Sequence, residues 1–369
     1  MYSHPLQRMR SSGRMVSKLL IRDFRCFTRL ELEFDQESTC IVGKNASGKT
    51  SLLEAVAVLT RLQSPRTTSL AQLIRIGAKG LVTDGFVSGY HLQFYYSTTR
   101  RKLALDGVEQ KNSRAWLALA KLVYFGNSDI GMIRGPAELR RRFLDFVGSQ
   151  LFENYRSTLR SYEKALLSRN RYLKMIPLRR REVNAYSKPL VQFGAQLSTL
   201  RANLIRQLEP HLVLAIAAVS DRNEAVRLAY QQGATADFEV ALRESEKEEA
   251  RFMTTVVGPH RDDLQITVND RPAEIFASEG QQRTIVIALK LAEAKLLELQ
   301  FNKPPLLLLD DVFGELDAAR RNRLFLALPS RGQRFVTTTD LDWLESLPAG
   351  EVYRIVEDDH GERTLAKGV

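Results

Sequence analysis

Residues 43–50 read Gly43-Lys44-Asn45-Ala46-Ser47-Gly48-Lys49-Thr50, a complete G-x-x-x-x-G-K-[ST] spacing. Such a loop cradles a phosphate chain. Its glycines let backbone N–H groups turn inward, and a helix behind it adds the positive end of its dipole. The context fits: the β-prone run Thr39-Cys40-Ile41-Val42 precedes the loop, and Ser51-Leu52-Leu53-Glu54-Ala55-Val56 opens a helix after it. Gly43 through Ser51 are therefore expected to bind a nucleotide, ATP, with Lys49 reaching its β- and γ-phosphates. The Thr50 hydroxyl is expected to ligate Mg²⁺.

A second constellation is Pro304-Pro305-Leu306-Leu307-Leu308-Leu309-Asp310-Asp311. Four apolar residues predict a buried central parallel strand whose C-terminal end presents Asp310 as a Mg²⁺ ligand. Asp311 beside it can polarise the attacking water. Lys49 and Asp310 stand 261 residues apart, too far for a small GTPase or kinase-like core. The spacing suits an ATPase whose two halves flank an insertion.

Between these halves lies Ser278-Glu279-Gly280-Gln281-Gln282-Arg283-Thr284, at the start of a predicted helix running from Gln281 to about Leu299. The Ser278 hydroxyl, the Gly280 amide, Gln281 and the helix dipole all suit a γ-phosphate. One ATP cannot readily engage both phosphate elements of one subunit if they lie on different faces. A head-to-tail dimer solves this, each ATP lying between one chain's phosphate loop and its partner's serine loop.

The elements that must position these residues follow from periodicity. Residues 15 to about 134 are mostly strand: Leu19–Ile21 and Leu30–Phe34 alternate like an antiparallel pair, as do His91–Tyr96 and Lys102–Leu105, with Asp106-Gly107 a turn. Lys121–Phe125 reads as a short buried strand. From Gly135-Pro136 the period changes to three and four. One helix carries Leu151, Tyr155, Leu159, Tyr162 and Leu166, and a second carries Leu190 through Leu208 and ends before Pro210. They predict an antiparallel pair. Residues 237–250 read as a solvated acidic helix, and Asp263–Val268 with Asn269-Asp270 as a return to sheet. The expected organisation is an α/β ATPase head, a mixed sheet with helices over 15–134 and 251–369, split by an inserted helical lobe over 135–250. Met1 to Arg14 is polar and patternless; it reads as a disordered extension from an over-long translation start, with Met15 the better first residue.

The balance of 54 Lys and Arg against 43 Asp and Glu favours an anionic partner, nucleic acid before membrane. No apolar run approaches a membrane span. Cys26 and Cys40 sit in apolar strand-like contexts and read as buried core thiols of a protein from a reducing cytoplasm. Residues 138–182 hold twelve Lys or Arg against five acids. Arg156, Arg160 and Lys164 line one face of the first insertion helix, Arg140 and Arg141 precede it, and Arg179, Arg180 and Arg181 stand at its far end. This face is expected to track a DNA backbone. His260 and Arg261 read as part of a hydrogen-bonded corner, and His4, His91, His211 and His360 form no metal-spaced group.

The order of phosphate loop, helical insertion, serine-glycine-glutamine loop, acidic strand and Glu315-Leu316-Asp317 resembles the ABC/SMC class of ATPase heads. Within it the chain resembles the RecF family across about residues 15–345. The matching segments are Phe24-Arg25-Cys26-Phe27, Gly135-Pro136 through Arg140-Arg141-Arg142-Phe143-Leu144-Asp145, Gly258-Pro259-His260-Arg261-Asp262-Asp263, Ser278 to Thr284, and Thr337-Thr338-Thr339-Asp340. Cys26 departs from the family's usual Asn, and Ala46-Ser47 from a glycine-containing pair. The resemblance implies that Asp317 faces a partner subunit, that Thr338 and Thr339 occupy the switch position, and that Arg25 touches the nucleotide phosphates. No counterpart of a transporter glutamine loop is evident. The resemblance also implies a weak, DNA-stimulated ATPase acting as a switch in recombinational repair of single-strand gaps and in replication. It would bind duplex or gapped DNA and work with RecO- and RecR-type mediators to load recombinase. A transporter ATPase subunit and an ATPase-linked nuclease are the alternatives. The first usually lacks a basic helical lobe, and the 52 residues after Asp317 leave little room for the second.

Overall fold

The computed structural model describes residues 14–221, 224–234, 237–340, 350–358 and 361–368. His4, His360 and all but Arg14 of the expected N-terminal extension lie outside them. Arg14 itself donates to the Phe34 carbonyl, 2.8 Å away, so it belongs with the folded chain. Two compact units emerge: Met1–Asp129 with Leu297–Val369, and Ile130–Leu296.

The first unit begins with β1 (Val16–Phe24), β2 (Phe27–Glu33), β3 (Ser38–Val42) and α1 (Lys49–Arg61). There follow β4 (Leu81–Val87), β5 (Tyr90–Tyr96), β6 (Arg101–Leu105), β7 (Val108–Glu109), α2 (Arg114–Ala118) and β8 (Leu122–Gly126). The second unit holds α3 (Gly131–Arg134), α4 (Ala137–Leu151), α5 (Tyr155–Leu173), α6 (Arg180–Val219) and β9 (Val226–Gln231). It continues through α7 (Phe238–Glu244), α8 (Glu246–Phe252), β10 (Asp263–Val268), β11 (Arg271–Pro272), α9 (Ala273–Phe276) and α10 (Glu279–Phe301), whose last turn belongs to the first unit. The chain closes with β12 (Leu306–Asp310), α11 (Ala318–Ala327), β13 (Arg334–Thr338), β14 (Glu351–Glu357) and β15 (Arg363–Lys367).

Two six-stranded sheets build the first unit. One has the order β15-β14-β3-β13-β12-β8, with β14, β3, β13, β12 and β8 parallel. Its inner strand β12, next to the edge strand β8, is buried on both faces, as its unbroken leucine run requires. The other, β2-β1-β4-β5-β6-β7, is antiparallel and alternates buried with exposed residues. Leu19 pairs with Leu32 and Ile21 with Leu30, as their alternation predicts. Asp106 and Gly107 both take positive φ in the β6–β7 turn. Helix α1 serves both sheets. Leu52, Leu53 and Ala55 through Leu59 have no exposed surface, so the apolar middle of this helix lies in the core. Each such Leu or Val contributes about 1.5–3 kcal/mol of burial. Gly85 of β4 allows this closeness: a Cβ there would lie 2.2 Å from the Lys18 carbonyl and 2.8 Å from Leu59.

In the second unit α5 and α6 run antiparallel. Tyr155, Tyr162, Ala165, Leu190, Leu197 and Leu242 form their shared core. Helix α6 does not stop at Pro210 but continues to Val219. A proline costs one intrahelical bond there, and burial of Leu208, Leu212, Ala215 and Ile216 on either side of it outweighs that loss. The expected boundary at residue 250 also fails. β10 pairs along its whole length with β9, forming the sheet β11-β10-β9, so residues 251–296 belong to this unit. Nor is 237–250 one solvated helix. It forms α7 and α8, and Glu249 of α8 is buried against Arg169 of α5, with bonds of 2.6 and 2.8 Å.

A second buried cation organises the corner at 258–263. Arg201 donates to the Pro259 carbonyl (2.7 Å), to Asp262 (3.0 Å) and to Asp145 (2.8 Å), while Tyr155 donates to Asp145 (2.6 Å) and Tyr230 to Asp262. His260 joins the frame through both ring nitrogens. Nε2 lies 2.9 Å from the Thr255 carbonyl and must donate, and in the neutral ring Nδ1 accepts from the Tyr162 hydroxyl at 2.6 Å. Burial, aided by the charges of Arg261 and Arg141 and opposed by the Thr255 carbonyl, holds its pKa below the ordinary 6.5. Above 6.5 the ring is neutral whether folded or unfolded. Below it the unfolded chain takes up a proton that the folded chain resists, so stability falls as pH drops from 6.5 towards the folded value. The thermal midpoint should decline through that range, and His260→Gln should remove this component. Equal pH slopes for the two proteins would show that His260 does not carry it.

Candidate functional site

The loop after β3 has the backbone that its sequence demands. Ala46 (φ 64°) and Gly48 (φ 111°) are left-handed, and Ser47 N–H bonds to the Lys44 carbonyl at 3.2 Å. A Cβ on Gly48 would fall 2.8 Å from the Cys26 sulfur and 3.0 Å from the Phe27 ring, so glycine is required for space as well as for φ. Helix α1 starts at Lys49 with no side chain capping its first turn, which leaves its N–H groups for an anion. Lys49 closes the loop on itself: Nζ donates to the carbonyls of Gly43 (2.6 Å) and Lys44 (3.0 Å). Burial lowers its pKa, with the Asp311 and Asp310 carboxylates acting in the opposite direction. Lys44, Asn45 and Ala46 are exposed, and Ser47 and Ser51 are half-buried.

The acidic pair meets this loop. Thr50 Oγ1 donates to Asp310 Oδ1 at 2.9 Å, bringing together the two residues expected to hold Mg²⁺. Two residues that the sequence reading missed complete the grip. Thr337 of β13 donates to the same oxygen (2.9 Å), and Tyr124 of β8 donates to Oδ2 (2.7 Å). Burial, reinforced by the Asp310 charge, pushes the Tyr124 phenol well above its ordinary pKa, so it remains a donor. Thr337 also accepts from the Asp311 N–H at 2.9 Å, steadying that residue in its left-handed conformation (φ 56°). The hydroxyl and carboxylate fit Mg²⁺, which takes one or two protein oxygens and otherwise keeps waters and phosphate oxygens. Among the described residues no group of three or more His, Cys, Asp or Glu could hold a metal by itself.

Around these residues opens a cleft of about 730 Å³, lined also by Arg25, Arg66, Arg75, Arg363 and Cys26. Cys26 is thus half-buried at the cleft and not a core thiol like Cys40. It occupies the β1–β2 turn, where the neighbouring Phe24 and Phe27 take the inward positions. Arg25 reaches the cleft while paired with Glu54 at 3.0 Å. At the switch position the contact belongs to Thr337. Thr338 bonds instead to the Asp340 carbonyl, and Thr339 is exposed. Asp317 caps α11 through the Arg320 N–H, 2.8 Å away.

The serine loop lies in the second unit. Ser278 Oγ accepts from the Gln281 N–H (3.3 Å) and Gln281 Oε1 from the Ser278 N–H (2.7 Å), a reciprocal capping box that starts α10. Ser278 is exposed and Gly280 half-buried. Of the basic residues assigned to DNA, Arg140 is bound to Asp263 (2.6 and 2.9 Å) and Arg141 to the Asp262 carbonyl (2.7 Å), so both are structural ties of α4. Arg160, Lys164, Arg179, Arg180 and Arg181 are exposed, and Arg156 is half-buried. No helix among the described residues is long and apolar enough to cross a membrane.

A phosphate loop after one parallel strand, with an acidic pair ending another, on a mixed sheet backed by an antiparallel one, defines an ATPase head of the ABC/SMC type. The RecF/RecN/SMC N terminal domain family matches residues 15–364. The DNA replication and repair protein RecF of Lactobacillus johnsonii is 33% identical over 357 residues, covering 91% of this chain and 96% of that one. RecF of Symbiobacterium thermophilum is 36% identical over 344 residues, covering 89% and 92%. A solved structure of the recombination mediator protein RecF with ATP, of the RecFOR pathway, superposes with a TM-score of 0.85 at 26% identity, covering 96% of this chain and 98% of that one. The chain belongs to the RecF family.

Thr337 offers a direct check on the metal site. Thr337→Val removes one hydrogen bond from Asp310 and one from the Asp311 backbone. It should weaken nucleotide binding about tenfold when Mg²⁺ is present and little in EDTA. Calorimetric titration under both conditions reads the difference, and an equal loss in both would separate Thr337 from the metal.

Proposed function

We propose that this chain is an ATP-dependent DNA-binding protein of recombinational repair and replication-fork maintenance, working in the cytoplasm as a slow, DNA-stimulated ATPase switch. The observation that carries the reading is the joining of Thr50, Asp310, Thr337 and Asp311 directly beneath a complete phosphate loop. The names of the relatives support the repair role. Bound ATP would draw Lys49 from the two loop carbonyls to its phosphates, and Thr50 and Asp310 would hold Mg²⁺, which would supply positive charge to offset the negative charge of the phosphates. Asp311 would orient the attacking water.

The serine loop gives the switch its second half. Its exposed hydroxyl, on a helix N-terminus, suits the γ-phosphate bound to a second copy of the chain, with Gly280, Gln281 and Asp317 in the same interface. ATP would then hold a head-to-tail dimer closed, and hydrolysis would release it. DNA, duplex or gapped, would be held by the exposed cations of α5, of the α5–α6 turn and of the start of α6. RecO- and RecR-type mediators would receive it for recombinase loading.

Asp311→Asn should bind ATP but stall hydrolysis, accumulating dimer in light scattering. Ser278→Arg should bind ATP as a monomer and fail to dimerise at concentrations where the wild type does. If the first turns over normally, or the second dimerises normally, that residue's role is wrong.

The DNA track has its own test. Arg179, Arg180 and Arg181 replaced together by Ala should weaken binding to unrelated sequences about equally and shallow the logarithmic salt slope by roughly one to three. DNA-free hydrolysis should stay near wild type. An unchanged slope would move the track to the hairpin around Arg100, Arg101 and Lys102.

A further inference from the structure

Glu54 lies inside α1, one turn beyond Thr50, and has no exposed surface. A carboxylate is almost never left there unless cations hold it. Here two do. Arg25 grips it side-on, Nε to Oε2 and Nη2 to Oε1, both at 3.0 Å, and Arg66 Nη1 approaches Oε2 at 3.5 Å. The Ser64 hydroxyl donates to Oε1 at 2.6 Å and accepts from the N–H groups of Arg66 (3.0 Å) and Thr67 (3.1 Å), so the same carboxylate anchors the turn that carries Arg66. Both guanidinium groups line the cleft, whereas Glu54 does not. Arg25 spends a further N–H on the Gln72 carbonyl at 3.0 Å. These bonds use three of its five donors and leave two for a ligand. Arg66 has 44% of its side chain exposed.

We propose that Glu54 is a positioning residue of the nucleotide site, aiming Arg25 and Arg66 into the cleft where they meet the polyphosphate beside Lys49. This rests on reading the cleft as a nucleotide site. A buried base in the reaction is a poor alternative, because Arg25 and Ser64 occupy both oxygens and the side chain does not reach the cleft. A carboxylate that acted only as a nearby negative charge would repel phosphate, and its removal would tighten binding. Positioning predicts the opposite sign.

The experiment is calorimetric titration with ATP, in Mg²⁺, of the full-length wild type, Glu54→Gln, Arg25→Gln/Arg66→Gln and the triple variant. Glu54→Gln should weaken ATP binding about tenfold, the size expected for one lost charge-assisted contact. The triple variant should bind no more weakly than the Arg25→Gln/Arg66→Gln protein, because Glu54 then has nothing to aim. Tighter or unchanged binding by Glu54→Gln, or an additive further loss in the triple variant, overturns the proposal. Ser64→Ala keeps the Arg25 clamp and releases only the Arg66 turn. It should cost several-fold in affinity, and it remains decisive should Glu54→Gln fail to fold: unchanged affinity there also overturns the proposal. Lys49→Met separates the two levels. If the wild type binds no ATP, or Lys49→Met binds it normally, the nucleotide reading itself fails. If both behave as the phosphate loop requires and Glu54→Gln does not weaken binding, only the positioning role is lost.

Discussion

Asp310 carries a carboxylate to the end of a strand whose four preceding residues are buried leucines, and such a charge persists only where donors meet it. Three hydroxyls do so, one each from α1, β13 and β8. Much of the first unit follows from that requirement. β12 must lie between β13 and β8 in parallel register, with Asp310 opposite Thr337 and Gly126, or the hydroxyls miss the carboxylate. The start of α1 must stand over the end of β12, which is also where the phosphate loop then has to be. The residues expected to hold Mg²⁺ and the phosphate loop are brought together by satisfying one buried charge.

The second unit solves a similar problem to a different end. Arg201 and Arg169 are nearly fully buried, and each is surrounded by carboxylates, hydroxyls or carbonyls of its own unit. Removing one member of such a set strands the others, at a cost of about 3–5 kcal/mol. Asp262 shows the economy of the arrangement, since it accepts from Arg201, Tyr230 and the Gly233 N–H at once. The Gly-Pro-His-Arg-Asp-Asp stretch is therefore a joint between α6, β9 and β10. Its residue types look catalytic but serve a fixed corner.

Features encoded within a few residues were legible in the sequence. The phosphate loop, the leucine strand, the β1–β2 alternation and the turns at Asp106-Gly107 and Asn269-Asp270 each depend on neighbours along the chain. Features that depend on register across strands were not. Thr337 and Tyr124 stand 27 and 186 residues from Asp310, and nothing in their local sequence marks them as its donors. The alternation of β10 is the same whichever sheet it joins, so its pairing with β9, and with it the limit of the second unit, was invisible. Counting cations in residues 138–182 had the same weakness. Arg140 and Arg169 add to a formal charge, yet each is already matched by an acid far along the chain.

That last failure shows how a binding site differs from a frame when both are built of the same charges. In the second unit the guanidinium groups of Arg201 and Arg169 spend their donors on protein oxygens and have little surface left. In the first unit Arg25 and Arg66 share one buried acid and still face an open cleft, and among the described residues Lys49 donates its hydrogen bonds to two carbonyls of its own loop. Carbonyls neutralise a cation poorly compared with a phosphate, so the loop keeps its shape while its principal charge remains available. On the proposed reading the cleft is assembled in advance for a polyanion, so binding would need only to exchange two weak partners of Lys49 for stronger ones.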